Sequence, residues 1–571
     1  MLRLAVVSIV AAVGFLLAAG PAATQQTPLF PGVTYENGVQ FTPHGPVAIR
    51  VVRGPKPVGL YRLRTTLSNE LVLGRETVSS MQRRLATQAT MVGVNGDLSR
   101  FADGKPSGIM LRDGVLIAPP NGQRSSAGIG LDGMLDVRRV AFRGTWRGTG
   151  QRRSLTHFND VPGKNGIALL TSDYGRVTPT LPGSYTVVLS PFPASVPNTD
   201  LVAPVTTTSS GSVRLAPGTA AVVARGNAAA RLQAEAAVGT SLTLRLILQP
   251  DWATVSDAIG GGPVLVRDGK PVYRANEAFT VSQIAPRHPR TAIGQLADGR
   301  ILMVVVDGRQ PGYSVGMTTF EMALTMARLG AVRAMQLDGG GSSTIAFQGK
   351  VLNRPSDGFP RAVAEGLFVF YYGIYAPTAS RALITPNGDA VSERTTLSAK
   401  VVRPSIIDLK LLRPNGTVAW RSRRGTLPGT FRKVVGSSVM GDGVWRWVVQ
   451  ATENESGRVS TMTRSFKVNR TLGHLRLSRE RLPVVPGRTV RVFVSVVLAR
   501  QARVGVVVLT RGGLVRRVIY QGDRGRGKHV WSWDGRRTAS VLVPSGTYVV
   551  RVRATNSFGT LTLRDTIRVV R

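Results

Sequence analysis

The 571-residue chain contains no cysteine. Disulfides and metal sites built on thiolates are therefore excluded, whatever compartment the protein occupies. Histidine is scarce: His44, His157, His288, His474 and His529 are scattered, with no HExxH pair to hold zinc. A serine–histidine triad is not expected. Carboxylates are in short supply, 32 Asp and Glu against 73 Lys and Arg, which leaves a net charge of +41. Charged residues of both signs make up only 18% of the chain. Its chemistry must rest on carboxylates, arginines, hydroxyls and backbone groups.

Hydrophobic residues reach 43%, enough to build sizeable cores, and the length suggests about three domains. Arg3, the apolar run Leu4–Leu17 and the small residues Ala18-Ala19-Gly20-Pro21-Ala22-Ala23 read as a secretory signal over residues 1–23, with a retained anchor as the alternative. No second long apolar run follows, so we expect an exported or envelope-associated protein without integral membrane association once the signal is cleaved. A net charge this positive would usually suggest nucleic acid, but no binding motif accompanies it. Attraction to anionic cell-envelope glycans or sugar-phosphate polymers fits an exported chain better; an arginine-heavy composition is the plain alternative.

Two apolar runs between His288 and Glu365 each end on Asp-Gly: Ile301–Val306 into Asp307-Gly308, and Ala334–Leu337 into Asp338-Gly339. Short apolar runs closed in this way read as buried strands stopping at turns, and a carboxylate just past such a strand is rigidly held. Between them Thr318 and Glu321 have capping-box spacing, Phe320, Ala323, Leu324 and Ala327 follow helical spacing, and Gly330 ends the element. The loop Asp338-Gly339-Gly340-Gly341-Ser342-Ser343 offers bare backbone N–H groups, hydroxyls and a carboxylate. Without Cβ atoms it can approach an oxyanion or a sugar closely, or simply form a tight turn.

The segments HPRTAIG, VVVDGRQPGYSVGMT, LDGGGSST and NRPSDG resemble, in order, the motifs of the phosphodiester glycosidase family. GVNGD at Gly93–Asp97, NGIALLTSDYG at Asn165–Gly175 and DAIGGGPVLVRDG at Asp257–Gly269 extend the likeness over roughly residues 45–372. The resemblance implies hydrolysis of a sugar-1-phosphodiester, of the N-acetylglucosamine-1-phosphodiester type, between the anomeric carbon and the phosphate oxygen. A phosphate monoester leaves readily, so neutralising its charge matters more than protonating it. Arginine suits that task through its planar fork, which points to Arg290 first, then Arg309 and Arg361. The anomeric centre needs a carboxylate: Asp338 leads, followed by Asp307, Glu321 and Asp97. Each has a structural alternative: a turn for Asp307, a helix cap for Glu321, an ion pair for Arg290. Asn95, Asp97, Gly339, Gly340, Gly341, Ser342 and Ser343 are expected to contact substrate, and Asp97 would equally serve a metal or a turn. Ser343 lacks an identifiable base and is not expected to be a nucleophile.

The expected catalytic region, residues 45–372, is strand-rich α+β, with a helix over Glu76–Ala86 and strands at Met91–Val94, Ile167–Thr171, Tyr185–Leu189, Val213–Leu215, Ser241–Leu248, Val264–Val266 and Gly366–Tyr371. Residues 31–55 read as a polar, Gly/Pro-punctuated lead-in. After Tyr375-Ala376-Pro377 two units of about 90–100 residues follow, 378–468 and 469–571. Their length suits a seven-strand sandwich, and VPSGTY and WDGR resemble the immunoglobulin-like sandwiches of the flagellar hook-capping type. The expected fold is thus a strand-rich α+β domain followed by two all-β immunoglobulin-like sandwiches. The last unit carries about +17, as a footing on the envelope or as a solvated spacer. No cofactor is required, although Asn387, Asp389 and Glu393 offer oxygen ligands that would suit calcium. A non-catalytic wall- or carbohydrate-binding protein on the same fold is the rival functional reading.

Overall fold

A computed structural model describes residues 26–437, 439–484 and 488–570; the expected signal over residues 1–23 lies outside them. Strands dominate and helices are short. One compact unit comprises the chain through Val58, Leu63–Gln82 and Val92–Val369; a second comprises Gly59–Arg62, Arg83–Met91 and Phe370–Arg571.

The first unit is organised on an eight-stranded sheet in the order Thr27–Phe30, Val33–Thr42, Gly45–Gly54, Ile301–Val306, Arg290–Leu296, Ala331–Gln336, Val264–Arg267 and Lys270–Pro271. Ile301–Val306 is buried along its whole length. Leu302, Val304 and Val306 pack with Met322, Ala323 and Met326 of the helix Thr319–Arg328, each buried Leu, Val or Met side chain being worth about 1.5–3 kcal/mol. A strand covered on both faces has no reason to alternate, hence its unbroken apolar sequence. Thr318 Oγ1 accepts from the Glu321 amide at 3.1 Å, and Glu321 Oε2 accepts from the Thr318 amide at 2.8 Å. Gly330, at φ +92°, ends the helix.

This sheet brings distant motifs to one place. Ile301–Val306 and Ala331–Gln336 each pair antiparallel with Arg290–Leu296, so they run parallel to each other. Asp307 and Asp338 therefore emerge at the same end of the sheet, two strand spacings or about 10 Å apart, with Arg290 between them. A second sheet places Thr90–Asn95 between Ile345–Phe347 and Glu365–Tyr371. A Cβ on Gly93 would fall 2.2 Å from the Phe368 ring, and one on Gly96 2.6 Å from Glu365 Cγ. These glycines let the chain carrying Asp97 lie against Glu365. A further eight-stranded sheet, with the helix Asn227–Glu235, encloses a separate core around Trp146, Phe158, Leu169, Leu232 and Leu244.

Three expectations need correction. Residues 31–55, read as a polar lead-in, fall largely in two strands of the main sheet, Val33–Thr42 and Gly45–Gly54. Val33–Thr42 is mostly half-exposed, so its sequence lacks the apolar content that marks buried strands. Val213–Leu215 makes a single bridge, Val177 to Arg214, rather than a strand. The helix over Glu76–Ala86 is shorter than expected, Val78–Arg84.

The second unit contains two β modules, each made of two sheets. Their strands Gly443–Glu453 and Gly546–Asn556 are the same length and alternate alike: Trp445, Trp447, Val449 and Ala451 are buried in one, Tyr548, Val550, Val552 and Ala554 in the other. The repeat seen in the sequence is thus a repeat of inward-facing positions. The two modules are cross-linked to each other. Asn387 Nδ2 donates to Leu472 O at 3.1 Å, the His474 amide donates to Asp389 Oδ2 at 3.0 Å, and Asp442 pairs with Arg470 and Arg500.

Candidate active site

A cleft of about 180 Å3 opens at the sheet end that carries Asp338. Its lining includes Phe279, His288, Arg309, Asp338, the Gly339–Gly341 loop and Arg361. The loop needs its glycines. A Cβ on Gly340, which has φ +62°, would lie 3.1 Å from Arg309 Nη2, and one on Gly341 would lie 2.1 Å from Arg361 Nη2. Two guanidinium groups thus lie directly against bare backbone. Arg361 is braced by Asp357, Nη2 to Oδ2 at 2.7 Å. Arg309 donates from Nε to His288 Nδ1 at 3.2 Å, and its terminal nitrogens have no protein partner among the described residues. The cleft therefore presents positive charge ready for an anion.

Asp338 is half-buried. Its Oδ1 accepts from the Gly339 amide at 2.9 Å, and Ser342 donates to the same carboxylate. Burial, with the nearby charge of Asp97, raises its pKa to about 6, against the lowering pull of Ser342, Gly339 and Arg361. The loop is anchored by the buried Asn95, which donates from Nδ2 to Asp338 O at 2.8 Å and accepts at Oδ1 from Thr291 Oγ1 and the Thr344 amide.

Behind the loop lies a buried group that the sequence reading identified only in part. Asp97 is held by Arg124 in a two-pronged pair, both contacts at 3.2 Å. A Cβ on Gly108 or Gly260 would come within 2.4 Å of Asp97 Oδ2, so these glycines leave the room that the carboxylate fills. Burial raises the Asp97 pKa, with Arg124 opposing. Glu365, fully buried, accepts from the Asp97 amide at 3.3 Å through Oε1, while its Oε2 has no hydrogen-bond partner among the described residues. Desolvation and the Asp97 charge push its pKa well above the usual carboxylate range. Neither Arg124 nor Glu365 was among the expected residues. Glu365 had a signal, a lone acid opening the apolar run Gly366–Tyr371; Arg124 had none.

Other expected residues are committed elsewhere. Arg290, expected on phosphate, reaches the cleft wall, but its guanidinium donates to four backbone carbonyls: Met317, Gln283, Ile284 and Pro286. It braces the loop before its own strand, and burial lowers its pKa to about 10. Asp307, expected as catalytic, accepts from Tyr313 Oη, Asn353 Nδ2 and the Arg354 amide and sits 3.4 Å from Arg50. It ties loops together away from the cleft. Glu321 is spent on its helix cap and on Arg287, and Asn95 is consumed by backbone and Thr291. Gly312-Tyr313-Ser314-Val315-Gly316 has the spacing of a nucleophile elbow, yet Ser314 donates to Asp307 O and accepts from the Ala48 amide. Ser343 is buried, and its hydroxyl has no hydrogen-bond partner among the described residues. Among the described residues no group of three or more His, Asp or Glu is arranged to hold a metal. In the Asn387 loop, Glu393 Oε1 accepts from the Gly388 and Asp389 amides.

Residues 195–370 match the family model described as Phosphodiester glycosidase. Over 107 residues the chain is 42% identical to the SPbeta prophage-derived uncharacterized protein YomE of Bacillus subtilis, covering 19% of this chain and 16% of that protein. Over 68 residues it is 37% identical to the Bos taurus N-acetylglucosamine-1-phosphodiester alpha-N-acetylglucosaminidase, covering 12% of each. The chain thus spans less than a fifth of either relative. A hypothetical protein of Synechocystis shares the fold, with TM-score 0.51 and 23% identity over 62% of this chain and 64% of that one. Asn95, Asp97 and Arg124 fall outside the family match, though the fold brings them against it. No helix among the described residues is long and apolar enough to cross a membrane. The strand-rich domain that carries Asp338, Arg309 and Arg361 is, over residues 195–370, a phosphodiester glycosidase family domain.

Proposed function

We propose that this cleft hydrolyses a sugar-1-phosphodiester, of the N-acetylglucosamine-1-phosphodiester type, on an exported envelope phosphoglycan. The observation that carries the reading is the pair of guanidinium groups, Arg309 and Arg361, set against a glycine loop beside a carboxylate of raised pKa. Arg309 binds the phosphate through its free terminal nitrogens, and Arg361 adds charge from its Asp357 brace. The leaving phosphate monoester departs with its electron pair stabilised there, so little protonation is needed. Asp338, ionised above about pH 6, faces the anomeric carbon and stabilises its positive charge. Water supplies the new C–O bond at the anomeric carbon; one of its protons passes to solvent or phosphate. Asp97 and Glu365 do not line the cleft. Asp97 is a positioning residue whose charge raises the Asp338 pKa, and Glu365 accepts from its amide.

The test is sugar release from N-acetylglucosamine-1-phospho-methyl ester in oxygen-18 water, comparing wild type with Asp338→Asn. Label in the sugar, with loss of release in the variant, supports the reading. Label in phosphate would mean P–O cleavage and overturn it. Wall polysaccharide bound without any release would favour the binding-only alternative.

A further inference from the structure

The last module carries a second cationic surface. On the outer face of its five-stranded sheet, Arg551 of strand Gly546–Asn556 lies directly opposite Arg564 of strand Gly559–Val570. Arg553 follows two residues along, and Arg503 stands on the neighbouring strand Ala502–Thr510. Like charges facing each other across two strands destabilise a sheet unless something neutralises them. None of these arginines makes a hydrogen bond or ion pair among the described residues, and Arg551 Nε is buried without a partner. Asp523, in register with Arg503, forms no ion pair with it. Asp565 has inward parity, opposite the buried Val550. Arg503, Arg551 and Arg553 line a groove of about 310 Å3 with Tyr520 and Thr555.

We propose that this face is a binding site for a phosphodiester-linked glycan or polyol polymer. The pleat sets the cations about 5 Å apart across strands and about 7 Å along them, a grid for successive charges on a flexible chain. Guanidinium forks favour phosphate over more diffuse anions. Single-stranded nucleic acid is disfavoured because it needs free aromatic platforms. Tyr520 is already covered by Arg524, 4.1 Å from its ring centroid, and stacked on Trp531. The choice of a phosphoglycan rests on the function proposed above; the cationic site itself does not.

Binding of the full chain to poly(glycerol phosphate) is measured by calorimetry, with dextran, hyaluronate and a single-stranded DNA oligonucleotide as comparators. Arg551→Gln/Arg553→Gln/Arg564→Gln is compared with Arg511→Gln/Arg526→Gln/Arg537→Gln, which removes equal charge from exposed positions of the same module. We expect at least a tenfold loss of poly(glycerol phosphate) affinity in the first and less than threefold in the second. The exposed single variant Arg553→Gln should lose about threefold without affecting folding. Turnover of the small methyl ester should be unchanged in all three. Equal losses in the two triple variants, no binding by wild type, or hyaluronate or DNA bound as tightly as poly(glycerol phosphate) would each overturn the proposal. Because binding is read without turnover, absence of sugar release would sink the catalytic reading and leave this one standing.

Discussion

Replacing Asp338 by Asn should make the protein more stable while removing its activity. The Asp338 carboxyl is raised from 3.8 to about 6, first by burial and then by the charge of Asp97. A carboxyl with a raised folded-state pKa binds its proton more tightly when folded than when unfolded. Its presence therefore costs nothing below about pH 3.8. Stability is lost as pH rises towards 6, and the full penalty remains above that. The shift corresponds to at most about 3 kcal/mol. Asparagine is nearly isosteric and its Oδ1 can still accept from the Gly339 amide and Ser342, so the loop should keep its shape. Half-exposure of the site discounts the figure, and we expect a gain of about 1–2 kcal/mol at pH 7.5, or roughly 2–6 °C in Tm.

The assay is a pair of thermal melts for wild type and Asp338→Asn at pH 7.5 and pH 4, with sugar release measured alongside. The gain should be present at pH 7.5 and absent at pH 4. A variant less stable than wild type at pH 7.5 would show that the carboxylate is held by its hydrogen bonds more than it is penalised by burial. Full sugar release by the variant would remove Asp338 from the chemistry.

Wild-type release should rise with pH through an acid limb near 6, and Asp97→Asn should move that limb to lower pH by removing a charge that raises the Asp338 pKa; a pH–rate profile of kcat/KM reads this, alongside a stability loss of about 3 kcal/mol from unpaired Arg124. Arg309→Gln should raise KM for the phosphodiester by tenfold or more with Tm unchanged, since its terminal nitrogens hold no structure together. Arg290→Gln should do the reverse in character, lowering Tm by several degrees, because it removes a buried guanidinium that ties four backbone carbonyls together. Gly260→Ala should lower stability by about 2–3 kcal/mol through overpacking, since its Cβ would sit 2.4 Å from Asp97 Oδ2, and activity should fall with it.

The main sheet and its helix were legible because their residues repeat a local rule. Ile301–Val306 is apolar throughout because it is buried throughout, and Thr318 with Glu321 spells out the cap that forms. The strand Val33–Thr42 was missed because it buries too little to leave a pattern. The site was harder, since its residues obey no local period. Asp307 and Asp338 look alike in sequence: each follows a buried strand, each precedes glycine, and both reach the same end of the sheet. What separates them is what the facing loops bring. Asp307 meets Tyr313, Asn353, the Arg354 amide and Arg50, and is neutralised by them. Asp338 meets its own loop, the charge of Asp97 and the opposing pull of Arg361, and it keeps both its raised pKa and its access to the cleft. Arg290 and Arg309 divide in the same way: one guanidinium is used up by carbonyls, the other is left open. A motif thus narrows the candidates to polar residues at a sheet end. The partners that decide which of them remains reactive come from elsewhere in the chain: Arg124 and Glu365, which hold Asp97 beside Asp338, carry no mark of their role in the sequence around Asp338.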